Sequence, residues 1–325
     1  MCVNRHCAPA RLLTNRYRAQ SGGRPPLAGR RPDDDHGRRS VGGMASLDSP
    51  RVAGLRWAVF ADRPVTALVT TRHGGVSAGV YGSLNLSLGV GDDPALVVEN
   101  RRRAAATLGL GLDDMVYAHQ VHGHDVAVVT ADDRGRGTRT IDDAPAADAL
   151  VTATPDVGLA VMVGDCVPLV LYDPDAHVLA AVHAGWRGTV ARVTDAALAA
   201  MAGLGASRER VLAGIGPAIT ADRYQVGDEV ADAARDCFAG HVDGIVRPDG
   251  TGRWTVDLWA ANRRVLVEAG VDPANIEVSE VGTGPGTPFF SDRAARPCGR
   301  FAALARLHGT PDPSGDQGQV SPPVA

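Results

Sequence analysis

Lysine is absent from this sequence of 325 residues, and all 33 of its basic residues are arginine. The absence excludes a Schiff-base lysine, a phosphate-loop lysine and a lysine general base. A side-chain cation that holds an anion in this protein must therefore be an arginine, whose planar guanidinium suits bidentate contacts.

Long apolar runs and cysteines are scarce as well. No stretch of about 18 consecutive apolar residues occurs, so the sequence predicts no membrane-spanning helix. The five cysteines are too few and too scattered for a disulfide framework, which favours a reducing cytosol and a cytoplasmic protein. They are Cys2, Cys7, Cys166, Cys237 and Cys298.

Positive charge is concentrated in the first 43 residues. The net charge is −4, but residues 1–43 hold nine arginines and three aspartates and so carry +6. The remainder therefore carries −10, and an acidic body argues against a general nucleic-acid binder.

Composition divides the chain into three parts. Residues 1–43 are rich in arginine, glycine and proline, and we expect a disordered extension, with Met44 as the natural start. Residues 44–309 are predicted to form a single catalytic domain, and residues 310–325 a disordered tail.

Strands and helices alternate irregularly through the body. Residues 64–72 read as a buried strand, and a helix follows with Asp93 as N-cap and Pro94 at its first position. A second helix is predicted from about Thr189 to Met201, and residues 298–307 form a last strand or a short helix. Strands that come singly, in pairs and in triplets between helices favour an α+β or α/β body with a mixed sheet.

One thiol lies in an unusual setting. Cys166 stands between two apolar runs, directly after Asp165, and His183 ends a third run. A charged Asp between apolar runs needs a reason to be there. Cys237 is interpreted as a helix packing residue, whereas Cys298 lies in a loop and stays ambiguous.

Histidines add candidate metal ligands. His119, His122 and His124 lie in the segment HQVHGH, which reads as strand, short turn and strand together with its flanks. Two histidines and one thiolate would form a three-ligand zinc site with an open fourth position. The same atoms would equally serve a Cys–His dyad in which His183 lowers the pKa of Cys166.

Two arginines stand at the ends of apolar strands. Arg72 adjoins a glycine-rich loop, and Arg187 follows His183 before a helix start, where backbone amides and a guanidinium could hold an anion. The glycine patterns at 109–111, 214–219 and 282–286 complete no nucleotide-binding fingerprint and are interpreted as turns.

A series of motifs in one order resembles the YfiH/laccase-domain family over roughly residues 55–307. Members of this family are called purine nucleoside phosphorylases, polyphenol oxidases or peptidoglycan editing factors. The motifs are TTRHGG, SLNL, HQVHG, ADALVT, GDCVPLVLYD, VHAGWRG, IGPAI, YQVGDEV and FFSDRAARPCGR.

The resemblance implies an α+β fold of mixed β-sheets flanked by helices, similar to a cysteine-hydrolase fold. It also implies a metal trio of His122, Cys166 and His183, with Arg72 near the active site and Asn85 in a motif position. The sequence departs from the family pattern at four places, which bear on the substrate preference. They are VGDC at residues 163–166, Ala218, Gly282 before Thr283, and Cys298.

The implied activity is a zinc-dependent purine nucleoside phosphorylase, with copper as the alternative metal and adenosine deamination as a second activity. Its substrates would be a purine nucleoside and phosphate. The catalytic set would be Cys166, His183, His122 and Arg72, and substrate contacts would come from Arg72, Asn85 and Arg187.

Three alternatives stay open. One is a Cys–His hydrolase that removes misincorporated serine from peptidoglycan precursors, and another is a non-enzymatic interaction protein. A copper polyphenol oxidase is disfavoured, because such a site needs on the order of ten histidine ligands and only eight histidines follow Met44. The oligomeric state is left open.

Overall fold

The structure is a computed structural model, and it describes residues 52–309. The expected extension over 1–43, the start at Met44 and the tail over 310–325 all lie outside the described residues. Within the described range, the chain forms fourteen strands and five α-helices, connected by loops and short 3₁₀ turns.

The strands are β1 (Gly54–Leu55), β2 (Val65–Thr70), β3 (Met115–Tyr117), β4 (Val126–Val128), β5 (Ala149–Thr152), β6 (Gly158–Val163), β7 (Val167–Asp173), β8 (Val178–Ala184), β9 (Leu212–Ile215), β10 (Gln225–Val226), β11 (Val246–Pro248), β12 (Trp254–Val256), β13 (Ile276–Val278) and β14 (Phe301–Leu307). The helices are α1 (Pro94–Ala106), α2 (Trp186–Val190), α3 (Val193–Gly203), α4 (Asp228–Cys237) and α5 (Leu258–Glu268).

Two mixed sheets form the body. One has five strands in the order β1-β2-β14-β6-β3, and the other has six in the order β13-β9-β7-β8-β5-β4. Both are antiparallel at the centre and carry parallel pairs at their edges, namely β3 with β6, β13 with β9 and β4 with β5. A small antiparallel sheet, β10-β12-β11, stands apart. The predicted α+β fold with mixed sheets and flanking helices is confirmed.

The two large sheets share one apolar core. Side chains alternate along β7, so that Val170 and Tyr172 join the core with β2, β6 and β14, whereas Leu169 and Leu171 join a second core with α3 and α5. Helix α1 covers the outer face of the five-stranded sheet, where Ala104 packs in a cluster with Leu68 and Leu304. The order of layers is therefore helix, sheet, sheet, helices.

Helix α1 begins as predicted. The Asp93 carboxylate accepts a hydrogen bond from Ala95 N–H at 2.8 Å, and Pro94 occupies the first helical position. The strand predicted over 64–72 is β2, and the last segment is the strand β14, which settles the choice between strand and helix.

The single helix predicted from about Thr189 to Met201 is wrong. The chain forms α2 and α3 instead, because Arg192 between them adopts a left-handed conformation with φ 61°. The Arg192 guanidinium pairs with Glu268 of α5 at 3.0 Å, and this contact holds the break against the neighbouring helix.

The segment HQVHGH lies between two strands, as predicted. The strands β3 and β4 on either side belong to different sheets, so the segment is a loop that passes from one sheet to the other. Strand alternation therefore does not decide which way its histidines face.

No helix within residues 52–309 is both long and apolar enough to cross a membrane.

The N-cap of α1 yields a stability prediction. Asp93→Ala removes the acceptor for Ala95 N–H and should lower the free energy of unfolding by about 1 kcal/mol. Urea unfolding should show a lower midpoint with an unchanged m-value. Asp93→Ser keeps an acceptor and should restore most of the loss, and an unchanged midpoint in Asp93→Ala would contradict the assignment.

Candidate metal centre

Three side chains meet at one end of the space between the two large sheets. Cys166 immediately precedes β7, His183 lies near the end of the adjacent β8, and His122 comes from the loop between β3 and β4. Their potential ligand atoms all lie within 4.8 Å of one another. His183 is 2% exposed, Cys166 is half-buried and His122 is exposed, so the group opens to solvent on the side of His122.

The antiparallel pairing of β7 and β8 brings Cys166 and His183 together. Pro168 lies opposite His183 in the register, so the residues just before β7 reach the end of β8. Gly185 completes the approach, because a Cβ there would lie 3.0 Å from Cys166 Sγ and 3.5 Å from the His122 ring. A side chain at 185 would displace the thiol.

Asp148 orients the group from behind. Its carboxylate accepts from His183 Nδ1 at 2.8 Å, from His122 N–H at 3.0 Å and from Gly123 N–H at 2.6 Å. Its own carbonyl accepts from His183 N–H at 2.8 Å. With Nδ1 engaged, His183 Nε2 is the nitrogen left for a ligand. The two backbone bonds also hold His122 in its left-handed conformation, with φ 60°.

Asp148 is not among the site residues predicted from the sequence. The available signal was a carboxylate directly before the apolar strand β5, in the motif ADALVT. A fully buried carboxylate needs hydrogen-bond donors, and here all of them come from residues that hold or flank the trio.

The charges of the trio stabilise one another. Burial would raise the pKa of Cys166, but the charge of His183 and hydrogen bonds from His122 and His183 lower it to about 6. Burial would lower the pKa of His183, but the Cys166 thiolate and the hydrogen bond to Asp148 raise it to about 9. Burial likewise opposes ionisation of Asp148, yet the hydrogen bond from His183 and those from the backbone lower its pKa. The arrangement therefore favours a thiolate, an imidazolium and a carboxylate at neutral pH.

The residues present fit a zinc ion. Two imidazoles and a thiolate are a zinc donor set, three protein ligands leave a position for substrate, and a carboxylate behind one imidazole is the usual outer partner. Of the three histidines in HQVHGH, only His122 belongs to the group. His119 pairs by its backbone with Ala146 and lines a neighbouring cavity instead.

The contacts of Asp165 explain why a charged residue stands between two apolar runs. Its carboxyl group accepts from Thr283 Oγ1 at 2.5 Å and from Arg293 N–H at 2.7 Å, and burial raises its pKa. The residue has φ 127°, a value that L-residues rarely adopt. Asp165 thus ties the 283–293 segment to the strand end that carries Cys166.

Two cavities meet at the trio. The first, of about 280 Å³, is lined by Trp186, Arg187, Tyr224, Arg293 and Arg296 among others. The second, of about 460 Å³, is lined by Leu88, Val90, Gln120, Ile141 and Met162 among others. His122, Gly164, Cys166 and Asp292 line both cavities, so the trio stands at their junction.

The predicted substrate arginines lie in different places. Arg187 lines the first cavity, with its guanidinium stacked 4.2 Å from the Trp186 ring centroid and 3.7 Å from Glu229. Arg72 lines a third cavity of about 250 Å³, where its guanidinium lies 4.5 Å from the Phe290 ring centroid. The third cavity shares no lining residue with the other two.

Asn85 is fully buried and uses its amide within the protein. Its Nδ2 donates to Ser87 O and Asp92 Oδ2, and its Oδ1 accepts from Ser87 N–H and Arg300 N–H. The structure therefore places Asn85 behind the wall of the second cavity, where it holds the backbone of Arg300.

The four departures from the family pattern lie outside the trio. Gly164 leaves room for Arg300, whose Cδ would lie 2.7 Å from a Cβ at 164. Ala218 and Gly282 are bridge partners. Cys298 is buried, lines the third cavity and has a pKa raised by burial, so it lies outside the trio. Cys237 packs against the helix-side core, as predicted.

Comparison with known proteins connects this geometry to a family. Residues 66–308 match the family model described as multi-copper polyphenol oxidoreductase laccase. A protein of Deinococcus radiodurans named purine nucleoside phosphorylase is 46% identical over 202 residues, which cover 62% of this chain and 74% of that protein. A protein named adenosine deaminase RL5, from an unknown prokaryotic organism, is 42% identical over 234 residues, or 70% of this chain and 88% of its own.

A solved structure shows the same fold. The crystal structure of YlmD from Geobacillus stearothermophilus matches with a TM-score of 0.72 and 35% identity. The match covers 81% of this chain and 98% of that chain. The resemblance inferred from the motifs is confirmed.

The electrostatics of the trio predict the reactivity of the thiol. In chelator-treated protein, alkylation of Cys166 by iodoacetamide should follow the thiolate, which prevails above a pH of about 6 and is lost below it. The alkylation rate should be read from the Cys166 peptide by mass spectrometry. For comparison, an ordinary cysteine thiol ionises with a midpoint at a pH of about 8.5.

Asp148→Asn is the matched variant. Without the carboxylate, the pKa of His183 should fall, the imidazolium should be depleted and the midpoint for Cys166 should rise. An ordinary thiol midpoint in the wild-type protein would contradict the assignment.

Proposed function

The chain belongs to the YfiH/laccase-domain family, and from that membership we propose that it is a zinc-dependent purine nucleoside phosphorylase. The substrates are adenosine, inosine or methylthioadenosine together with phosphate. The glycosidic C1′–N bond breaks, a C1′–O bond to phosphate forms, and the base leaves with a proton on nitrogen. The products are the free base and a pentose 1-phosphate.

One observation carries the proposal. His122, Cys166 and His183 converge at the junction of two cavities, in a chain similar to proteins named purine nucleoside phosphorylase. A concave site with a few convergent polar groups suits a small polar substrate.

The role of each residue follows from its contacts. His122, Cys166 and His183 would hold the metal, and Asp148 fixes the ring of His183 and the backbone of His122. Zinc bound there supplies Lewis acidity beside the substrate. The low pKa of Cys166 keeps the thiolate available at neutral pH, and Gly185 keeps space beside it.

Adenosine deamination is a second candidate activity, favoured by the similarity to the protein named adenosine deaminase RL5. It replaces the exocyclic amine of the purine by oxygen from water and releases ammonia, so it needs no phosphate. The same trio would serve it.

A Cys–His hydrolase is a further candidate, and the Asp148 contact favours it. Cys166, His183 and Asp148 stand in the order of a nucleophile, a base and an orienting carboxylate. In this mechanism Cys166 attacks an amide carbon, the C–N bond breaks, and the amine leaves with a proton from His183. Water then hydrolyses the thioester, which would complete the removal of misincorporated serine from a peptidoglycan precursor. Such an activity would survive chelation.

A multi-copper oxidase is the candidate that the residues fit least. Residues 52–309 contain one group of three or more His, Cys, Asp or Glu side chains arranged to hold an ion. Coupled copper centres need several such groups.

The first test is phosphorolysis of inosine and adenosine with and without chelation. We expect phosphate-dependent release of free base, lost after chelation and restored by zinc. Cys166→Ala should lose at least about a hundredfold in kcat/KM, because it removes a proposed ligand. Cys237→Ala, on α4, serves as the control. Full activity of Cys166→Ala would contradict the site, and chelator-resistant amide hydrolysis would support the hydrolase instead.

The second test concerns Asp148. Asp148→Asn leaves fewer acceptors for four donors, namely His183 Nδ1 and the N–H groups of Val121, His122 and Gly123. It also turns an amide N–H toward backbone N–H groups, so the ring of His183 loses its support. Zinc affinity, measured by competition with a chromogenic chelator, should fall about 10- to 100-fold. Asp113→Asn, at an exposed carboxylate, should leave the affinity unchanged.

A further inference from the structure

The trio separates two cavities of different chemistry. In phosphorolysis a phosphate anion bonds to C1′ as an uncharged or weakly charged base leaves it. Such a displacement works best when the phosphate and the base lie on different sides of C1′. The two cavities meet at His122, Gly164, Cys166 and Asp292 and at no other lining residue. A substrate whose C1′ lies at this junction would extend into both.

The first cavity offers positive charge. Its guanidinium groups belong to Arg187, Arg293 and Arg296, and its two carboxyl groups already have partners. Asp165 is bound to Thr283 and to Arg293 N–H, whereas Asp292 pairs with Arg296 and with Arg300. Because Arg296 is paired with Asp292, Arg187 and Arg293 are the guanidinium groups of this wall that are left for an anion.

Arg293 is held in place by neutral partners. Its Nη1 donates to the carbonyls of Arg223 and Gln225, and its guanidinium lies 5.1 Å from the Tyr224 ring centroid. Across residues 52–309 it has no carboxylate partner. Its backbone is held by Asp165, the residue before Cys166, so the charge is positioned relative to the thiol.

Tyr224 adds a donor on the same wall. Burial and the negative charge of Cys166 raise the pKa of Tyr224 to about 12, so the phenol keeps its proton. Arg187 contributes a guanidinium whose nearest carboxylate, Glu229, is 76% exposed and 3.7 Å away, which is a weak pair. Guanidinium and phenol donors together suit a phosphate oxyanion.

The second cavity is larger and mostly apolar. Leu88, Val90, Ile141 and Met162 line it. The Gln120 amide, which also lines it, is fixed by hydrogen bonds to the backbone of Met162 at 2.6 Å and 2.8 Å. A flat aromatic ring system fits such a lining better than an anion does.

We propose that phosphate occupies the cavity of Arg187, Arg293 and Tyr224, and that the purine base occupies the cavity of Leu88, Ile141 and Met162, with the pentose between them at Cys166. This assignment rests on the proposed phosphorylase activity. It removes Arg72 as the phosphate ligand, because the cavity of Arg72 shares no lining residue with the other two.

Kinetics with each substrate varied in turn test the assignment. Arg293→Gln and Arg187→Gln should each raise the KM for phosphate at least about tenfold, as expected for the loss of a charged hydrogen bond, and leave the KM for inosine within roughly twofold. Ile141→Ala should raise the KM for inosine about threefold or more and leave the KM for phosphate unchanged. Arg264→Gln is the matched control, because it removes a partly exposed arginine whose ion pair within residues 52–309 is with Glu268.

A binding measurement makes the test independent of turnover. Inorganic phosphate should bind the wild-type protein in a calorimetric titration, and the double variant Arg187→Gln with Arg293→Gln should lose this binding. Arg72→Gln should keep it. If phosphate binds as proposed but no nucleoside is phosphorolysed, the phosphorylase proposal fails and the anion site stands.

Two results would overturn the assignment. One is an unchanged phosphate KM and unchanged phosphate binding in the Arg187 and Arg293 variants. The other is a loss of phosphate binding in Arg72→Gln alone. Each variant should have the same midpoint temperature of thermal unfolding as the wild-type protein. This equality would show that a change in phosphate binding does not come from a loss of folding.

Discussion

The hydrogen bond between the Asp148 carboxylate and His183 Nδ1 is the contact on which the site depends. It is fully buried, and the same carboxylate binds the backbone of His122 and Gly123. One group therefore sets the orientation of a ring on β8 and the path of the loop that joins the two sheets. Because a buried carboxylate is stable only with such donors, removing any one of them disturbs the other members.

The same contact explains why a thiol at the mouth of an apolar core is ionised. Burial alone would make Cys166 a neutral, unreactive side chain. The Asp148 carboxylate favours the imidazolium form of His183, and the imidazolium in turn favours the thiolate. A thiolate serves equally as a metal ligand and as a nucleophile, so the zinc mechanism and the hydrolase mechanism share one electrostatic origin.

The surroundings of the trio, more than the trio itself, distinguish the candidate functions. A charged cavity and an apolar cavity that meet at Cys166 suit a substrate with two unlike ends and an anionic partner. Asp165 links the trio to the arginine-bearing wall of the first cavity. It holds the backbone of Arg293, and its neighbour Cys166 belongs to the trio. The wall that carries the arginines is thus fixed by the strand end that carries the thiol.

The sequence by itself predicted most of the elements and the three residues of the trio. Asp93-Pro94 marked the start of α1, the apolar runs marked the central strands, and the motifs around His122, Cys166 and His183 identified the family. Only the tertiary structure decided which residues accompany them. Asp148, Tyr224 and Arg293 are distant from one another in sequence, and no local pattern shows that they meet the trio. They do so because β5, β7 and β8 lie side by side and loops close over their ends. Local sequence patterns indicate secondary-structure propensity and burial, whereas cavities arise from contacts between distant segments. For this reason Arg72 and Arg187, which both stand at the ends of apolar strands in the sequence, line different cavities.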